Sequence, residues 1–257
     1  MVLSHESIDK NSPIPAYYQI MNHLREKIEE GYYPVNSTVP PERELVEMYQ
    51  VSRMTVRQAI AELVNEGIRV RRKGIGTFVA PPKIEQKLSS LTSFTEDMAQ
   101  RGMKAGGRIL SFKEFVPDFT IRKILSLNVE DTVFESVRLR LADEEPMALE
   151  TTTLVASLCP GLKREDLENQ SLYKLLIERW NLQLEYATQS LEPILAPSHE
   201  AAILHVAPGA PLLLMHRITH DQNGRAFEHV KSLYRGDRYK FITELHRNQG
   251  RRPISYK

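Results

Sequence analysis

Residues 40–79 read PPERELVEMYQVSRMTVRQAIAELVNEGIRVRRKGIGTFV. Two short helical patterns come first. Leu45, Val46 and Met48 mark one, beginning near Pro41; Val56, Ala59, Ile60 and Leu63 form the buried stripe of the other. Ser52 is a natural N-cap for the second helix, expected from Arg53 to Asn65. Beyond Gly67, Arg69, Arg71, Arg72 and Lys73 run into Gly74-Ile75-Gly76 and then Thr77-Phe78-Val79. A glycine pair lets the backbone turn tightly there. Short helix, turn, second helix and β-ribbon is how a winged helix-turn-helix meets DNA.

The apolar stripe leaves Arg53, Thr55, Arg57 and Gln58 off the core, near the start of the reading helix. Arginine matches guanine bidentately, and glutamine can do the same for adenine. An ordinary solvated helix would also carry surface arginines; the preceding helix and the following ribbon weigh against that reading. Net charge is only +1, but between Arg53 and Lys73 six basic side chains stand against two acidic ones. Such a local stripe suits a protein that meets DNA with one face. The glycine pair lacks dinucleotide-binding spacing and follows no βαβ pattern, which argues against a nucleotide cradle.

Working outward, Tyr17, Ile20, Met21, Leu24 and Ile28 predict a helix from Ala16 that ends at Gly31. A DNA-binding domain over 1–80 follows, then a linker over 81–87 opened by Pro81-Pro82. Residues 88–257 read as an α+β domain around an antiparallel sheet. Its expected strands are Arg108 to Phe115, Val133 to Leu141, Met147 to Leu154, Tyr186 to Leu195, Pro211 to His220 and Arg225 to Tyr234, with Tyr239 to Leu245 extended. Helices are expected at Thr95 to Gly102, Pro117 to Leu127, Ser171 to Trp180 and Ser198 to His205. Asp221-Gln-Asn-Gly224 is a hairpin signal. Hydrophobic content of 41% and charged content of 26% suit a soluble globular protein. There is no membrane-length apolar run and no signal core, and the single cysteine, Cys159, fits a reducing cytoplasm as a buried, inert thiol.

Arg138 and Arg140, two apart on a strand, leave one face; Val137, Leu139 and Leu141 take the other, which should be core. The pair suits a phosphate or carboxylate, and equally a solvated sheet face. Ser89 to Ser93, just before a helix, could add donors for the same anion. Glu228, Ser232 and Tyr234 share one parity on the last hairpin, and Glu150 could reach the same face.

The stretches Pro41-Glu-Arg-Glu-Leu45, Val51-Ser-Arg-Met-Thr-Val-Arg-Gln-Ala59 and Gly74-x-Gly-Thr-Phe-Val79 resemble the GntR superfamily of bacterial transcription regulators. By that resemblance Arg43 and Arg53 read bases or phosphate, and Gly74, beside Lys73, enters the minor groove. The sequence departs from the family in having Pro41 in place of a serine cap, Arg69 for an apolar wing residue, and Ile75 for a polar one. Residues 88–245 resemble the HutC subfamily's effector domain, of chorismate-lyase-like fold, as found in bacterial repressors of N-acetylglucosamine utilisation. The resemblance rests on Ser90-Leu-Thr-Ser-Phe-Thr-Glu-Asp-Met98, Arg101-Gly-Met103, Arg138-Leu-Arg-Leu-Ala-Asp143, Pro146-Met-Ala-Leu-Glu150 and Phe227-Glu-His-Val-Lys-Ser-Leu-Tyr-Arg-Gly-Asp-Arg-Tyr239. It implies an amino-sugar 6-phosphate effector, glucosamine-6-phosphate or N-acetylglucosamine-6-phosphate. Arg138 and Arg140 would hold the phosphate with Leu91, Thr92, Ser93, Phe94, Ser171 and Tyr173; Glu150, Glu228 and Tyr234 would contact the sugar.

The same fold also occurs in an enzyme, but no acid, base or nucleophile is paired by spacing here. His216 and His220, four apart on a strand, lie roughly 13 Å apart and cannot share a metal. A DNA-binding protein with no ligand is the third reading, and the large second domain argues against it. The expectation is a homodimeric switch on double-stranded operator DNA, with neither cofactor nor membrane partner and no catalytic residue.

Overall fold

The computed structural model describes residues 8–35, 37–72, 76–168 and 170–245. The chain divides into two compact units, Met1–Ile84 and Glu85–Lys257.

In the first unit, α1 (Ala16–Glu29), α2 (Glu42–Tyr49) and α3 (Arg53–Asn65) precede a ribbon of β1 (Arg69–Arg72) and β2 (Gly76–Val79). Ile20, Leu24, Leu45, Val56, Ala59 and Leu63, all fully buried, form one core, as the helical periodicity requires. Ser52 caps α3 by accepting a bond from the Thr55 amide at 3.2 Å. Pro41 stands at the N-cap of α2 with no side-chain cap bond, and Gln50 ends that helix in the left-handed region with φ +50°. The ribbon pairs antiparallel from Arg69 opposite Val79 to Arg72 opposite Gly76. Its tip, with Lys73, Gly74 and Ile75, lies outside the described residues.

The second unit opens with β3 (Ile84–Lys87), continued from the last residue of the first. The expected linker at 81–87 is therefore corrected. Its last four residues form a strand paired with β10 (Tyr239–Ile242), because Ile84 and Gln86 bury alternate side chains while Glu85 and Lys87 stay in water. For the same reason Tyr239 to Ile242 leaves the main sheet.

That sheet has six strands: β4 (Ala105–Phe115), β5 (Val133–Ala142), β6 (Glu145–Val155), β7 (Leu184–Leu195), β8 (Pro211–Asp221) and β9 (Ala226–Arg235). All neighbours are antiparallel, in the order β4-β5-β6-β9-β8-β7. The β5–β6 hairpin turns on Asp143 and Glu144, both left-handed at φ +48° and +65° without a glycine. The β8–β9 hairpin turns where Asp221-Gln-Asn-Gly224 predicts, with Asp221 accepting the Asn223 and Arg225 amides at 2.9 Å each.

Four helices cover this sheet: α4 (Phe94–Gln100), α5 (Phe119–Leu125), α6 (Leu172–Trp180) and α7 (Ser198–Leu204). Helix α5 is shorter than expected because Asp118, not Pro117, caps it and Ser126 ends it left-handed. One apolar cluster joins Leu125, Phe134, Leu154, Cys159, Leu176 and Phe227. A second joins Leu139, Leu141, Leu149, Leu204, Leu212 and Leu233. Burial pushes the Cys159 thiol up to about 12, which keeps it protonated and inert.

Gly236, in the turn between β9 and β10, fixes a close approach: a Cβ there would sit 2.8 Å from the Pro211 carbonyl oxygen. Gly236→Ala is expected to cost about 1–3 kcal/mol, read as a lower urea midpoint of the effector unit. An unchanged midpoint would show that the turn moves freely.

Candidate functional site

Two sites stand apart in the chain, and each is built within its own unit. On the first unit the exposed start of α3 carries Arg53, Arg57 and Gln58. Arg53 lies against Glu42 at 3.2 Å, and Arg43 against Glu47 at 3.3 Å. All four belong to surface pairs of small worth, so the guanidinium groups can exchange a carboxylate for a phosphate or a base edge at little cost. Ser52 and Thr55 engage each other through their hydroxyls at 2.8 Å, so both take part in the cap at the start of α3.

The second site begins with strand alternation. On β5, Leu139 and Leu141 enter the core while Arg138 and Arg140 take the opposite face. The solvated-face alternative is overturned, since these arginines are only 5% and 6% exposed. They look into a cleft with about 660 Å3 of empty space, solvent at its mouth included. The register builds its floor. Arg138 lies opposite Glu150, Glu150 opposite Ser232, and Ser232 opposite Met215. One step along, Thr152, Val230, Arg217 and Gln189 make the next row.

Helices α4 and α6 supply much of the remaining wall, with Gln86 and Lys87 of β3 and Phe241 of β10 beside them. Ser93 caps α4 in a capping box with Glu96, and Ser171 caps α6. The two hydroxyls meet at 3.3 Å, so both helix starts border the cleft together. Phe94 lies under the Arg140 guanidinium, 4.6 Å from ring centre to carbon, and Thr95 accepts from it at 3.4 Å. Of the expected effector residues, Thr92, Ser93, Phe94, Arg138, Arg140, Glu150, Ser171, Tyr173, Glu228 and Tyr234 line the cleft. Leu91 does not, because its side chain packs against the larger apolar cluster. Sequence reading missed Arg217, Asp97, Gln189 and Thr152. Asp97 signals only as a first-turn acid of α4, and Arg217 as one polar residue in an alternating strand.

The electrostatics are those of charges held out of water. Burial, with Arg138 beside it, pushes Arg140 down to about 10. Burial opposes the charge on Glu150, yet Arg138 and Arg140 win and hold it below the usual carboxylate range. Arg138 and Glu150 form a direct ion pair. Even so, Arg138 Nε and Nη1, Arg140 Nε and the Thr152 hydroxyl are buried without a hydrogen-bond partner. Buried donors of that kind call for an acceptor, and an anion between the two guanidinium groups would supply several.

At the other end, Glu228 accepts from the Tyr173 hydroxyl at 3.0 Å and the Thr219 hydroxyl at 2.5 Å. Arg217 donates to Gln189 at 2.9 Å and approaches Tyr173 at 3.4 Å. Asp97 accepts from Thr92 at 2.7 Å. Arg101, at the end of α4, donates to the Asp97 carbonyl, to the Glu85 carbonyl at 2.5 Å and to the Gln86 side chain at 3.5 Å. The helix that borders the cleft is thereby tied to β3, the first strand after the DNA-binding unit. His216 and His229 share a bond at 3.3 Å on the sheet's other face. No group of three His, Cys, Asp or Glu side chains among the described residues is placed to hold a metal.

Burial raises the Glu228 carboxyl above its ordinary value. A raised acid takes up protons more readily folded than unfolded. Its favourable contribution is full below the unfolded pKa, ~4.3, and declines as pH rises toward the folded one. Both donors reach one oxygen, Oε2, so Glu228→Gln keeps an acceptor and removes the titration. The melting temperature of Glu228→Gln relative to wild type is expected to climb between pH 4 and pH 8. A flat difference would contradict the shift.

Comparisons with known proteins fit this geometry. The family model described as "Bacterial regulatory proteins, gntR family" matches residues 16–79, and the UTRA domain matches residues 100–240. The HTH-type transcriptional repressor NagR of Bacillus subtilis (strain 168) is 45% identical over 94% of this chain and 99% of its own. The mannosyl-D-glycerate transport/metabolism system repressor MngR of Escherichia coli (strain K12) is 29% identical over 92% of this chain and 98% of its own. The crystal structure of PhnF from Mycobacterium smegmatis superposes with a TM-score of 0.63 at 33% identity, covering 89% of this chain and 100% of that one. These relatives are regulators, not enzymes, and no helix among the described residues is long and apolar enough to cross a membrane. The chain belongs to the gntR family of bacterial regulatory proteins, of the HutC type: a DNA-binding transcription regulator with a UTRA effector domain.

Proposed function

We propose that this regulator is a cytoplasmic, homodimeric repressor of amino-sugar uptake and catabolism, released from its operator by an amino-sugar 6-phosphate. Glucosamine-6-phosphate and N-acetylglucosamine-6-phosphate are the two effectors in view. The observation that carries the reading is the buried pair Arg138 and Arg140 with unpaired donors in a polar cleft. Two guanidinium forks suit a phosphate, and the carboxylates of Glu150 and Glu228 with Tyr234 suit sugar hydroxyls. The likeness to NagR over nearly the whole chain supports the same assignment. A different sugar phosphate or a small carboxylate is the second reading, because the arginine pair would accept either anion.

The mechanism is linkage. Two reading heads on one dimer fit two half-sites of a pseudo-palindromic operator. An effector in the cleft would border α4 at Ser93 and Phe94, and β3 at Gln86 and Lys87, which line it. Arg101 bonds the two elements together, so occupancy of the cleft can alter the strand that leads back to the DNA-binding unit. A coupling of about 1–3 kcal/mol changes operator affinity about 5–150-fold.

Two variants separate sensing from transmission. Arg140→Gln removes like-charge repulsion with Arg138, so the fold is expected to hold. A charge-assisted bond of about 1.5–3 kcal/mol is lost, which weakens the effector about 10–150-fold. Thermal shift with a panel of sugar phosphates reads this, and an undiminished shift for Arg140→Gln would refute the anion site. Arg101→Gln is expected to bind both operator and sugar phosphate, with the effect of each on the other reduced toward none. Undiminished coupling would remove Arg101 from the path.

A further inference from the structure

The exposed face of α3 carries a side chain that charge pairing does not explain. Met54 is 70% exposed, on the first turn of the helix. Val56, Ala59, Ile60 and Leu63 form the buried stripe of α3. Diametrically opposite, Met54, Arg57, Gln58 and Ala61 stand at spacing i, i+3, i+4, i+7, and all four are exposed. Met54 thus lies near the middle of the helix face turned away from the core, while Arg53 lies to one side, against Glu42.

A methionine in the middle of the reading face offers an apolar contact to whatever that face meets. Arg53 and Arg57 on the same helix make a second protein's apolar surface a poor match and polyanionic DNA a good one. In the major groove the one apolar feature on a base edge is the C5-methyl of thymine. Ala61, one turn beyond Gln58, is small enough to let that stripe approach the groove closely.

We infer that Met54 reads a thymine methyl in the major groove and so sets sequence preference at one position of each half-site. Contact between two apolar groups excludes water from both, and each buried methyl contributes about threefold to fivefold in affinity. The long, unbranched thioether can follow the methyl without a strict geometry. Arg57 and Gln58, beside it on the same stripe, would then address neighbouring base edges or phosphates.

The full-length protein itself selects the duplexes for the test from a random library. Each thymine of the selected half-site is then replaced in turn by deoxyuridine, which lacks only the methyl group. Wild type is expected to lose about threefold to fivefold in affinity at one thymine. Met54→Ala should bind the thymine and deoxyuridine duplexes alike at that position, and Met54→Leu should keep most of the difference. Met54→Gln, similar in length but polar, should behave like Met54→Ala. Equal losses in wild type and Met54→Ala at every thymine, or no loss at any thymine in wild type, would overturn the assignment. The side chain is outside the core, so unchanged melting temperatures are expected for all three variants.

Discussion

Two guanidinium groups held out of water on one face of β5 govern the effector unit. Arginine cannot shed its charge in a protein, so burying a neighbouring pair is costly unless the surroundings answer it. The structure answers in part. Glu150, directly opposite on β6, pairs with Arg138, and Phe94 lends its ring face to Arg140. What remains is an excess of positive charge with buried donors unpaired. The cleft is therefore poised for an anion, and its elements are arranged around that need. The starts of α4 and α6 border it, and the floor rows, drawn from β5, β6, β9, β8 and β7, carry its polar groups.

The same arrangement offers a route by which the proposed effector is felt at a distance. The wall that meets the cleft is α4, and α4 is held through Arg101 to the backbone of β3. Strand β3 belongs to a two-stranded ribbon with β10, outside the six-stranded sheet. It is held by fewer strand neighbours than the sheet's interior strands. A segment of that kind is suited to shift between two arrangements while the sheet stays fixed. The reading helix of the DNA-binding unit is capped by Ser52 and packed through Val56, Ala59 and Leu63.

Much of this was legible in the sequence, for a physical reason. Helical periodicity and strand alternation are local, so α1, α3 and the two hairpins could be placed from spacing alone. The paired arginines could be assigned to one face from parity. Their burial could not, because it depends on α4 and α6 closing over the sheet from far along the chain. Arg217 escaped notice for the same reason: in Leu214-Met-His-Arg-Ile-Thr-His220 it is one polar residue among several, and only the pairing of β8 with β9 brings it beside Glu228. Two prolines and four charged or polar residues made 81–87 read as a linker, although Ile84 and Gln86 already alternate with Glu85 and Lys87 as a strand does. The tip of the wing, with Lys73 and Gly74, lies outside the described residues, so its part in DNA binding still rests on resemblance alone.

The proposed function stands on a reciprocal coupling between a phosphosugar in the cleft and DNA on the reading face. The most direct measurement closes the thermodynamic cycle on the full-length protein. Operator affinity is titrated with and without saturating glucosamine-6-phosphate or N-acetylglucosamine-6-phosphate, and sugar-phosphate affinity with and without operator. One of these effectors is expected to weaken operator binding at least fivefold, and operator to weaken that effector by the same factor. Operator affinity that is indifferent to both sugar phosphates, despite their binding, would contradict that coupling.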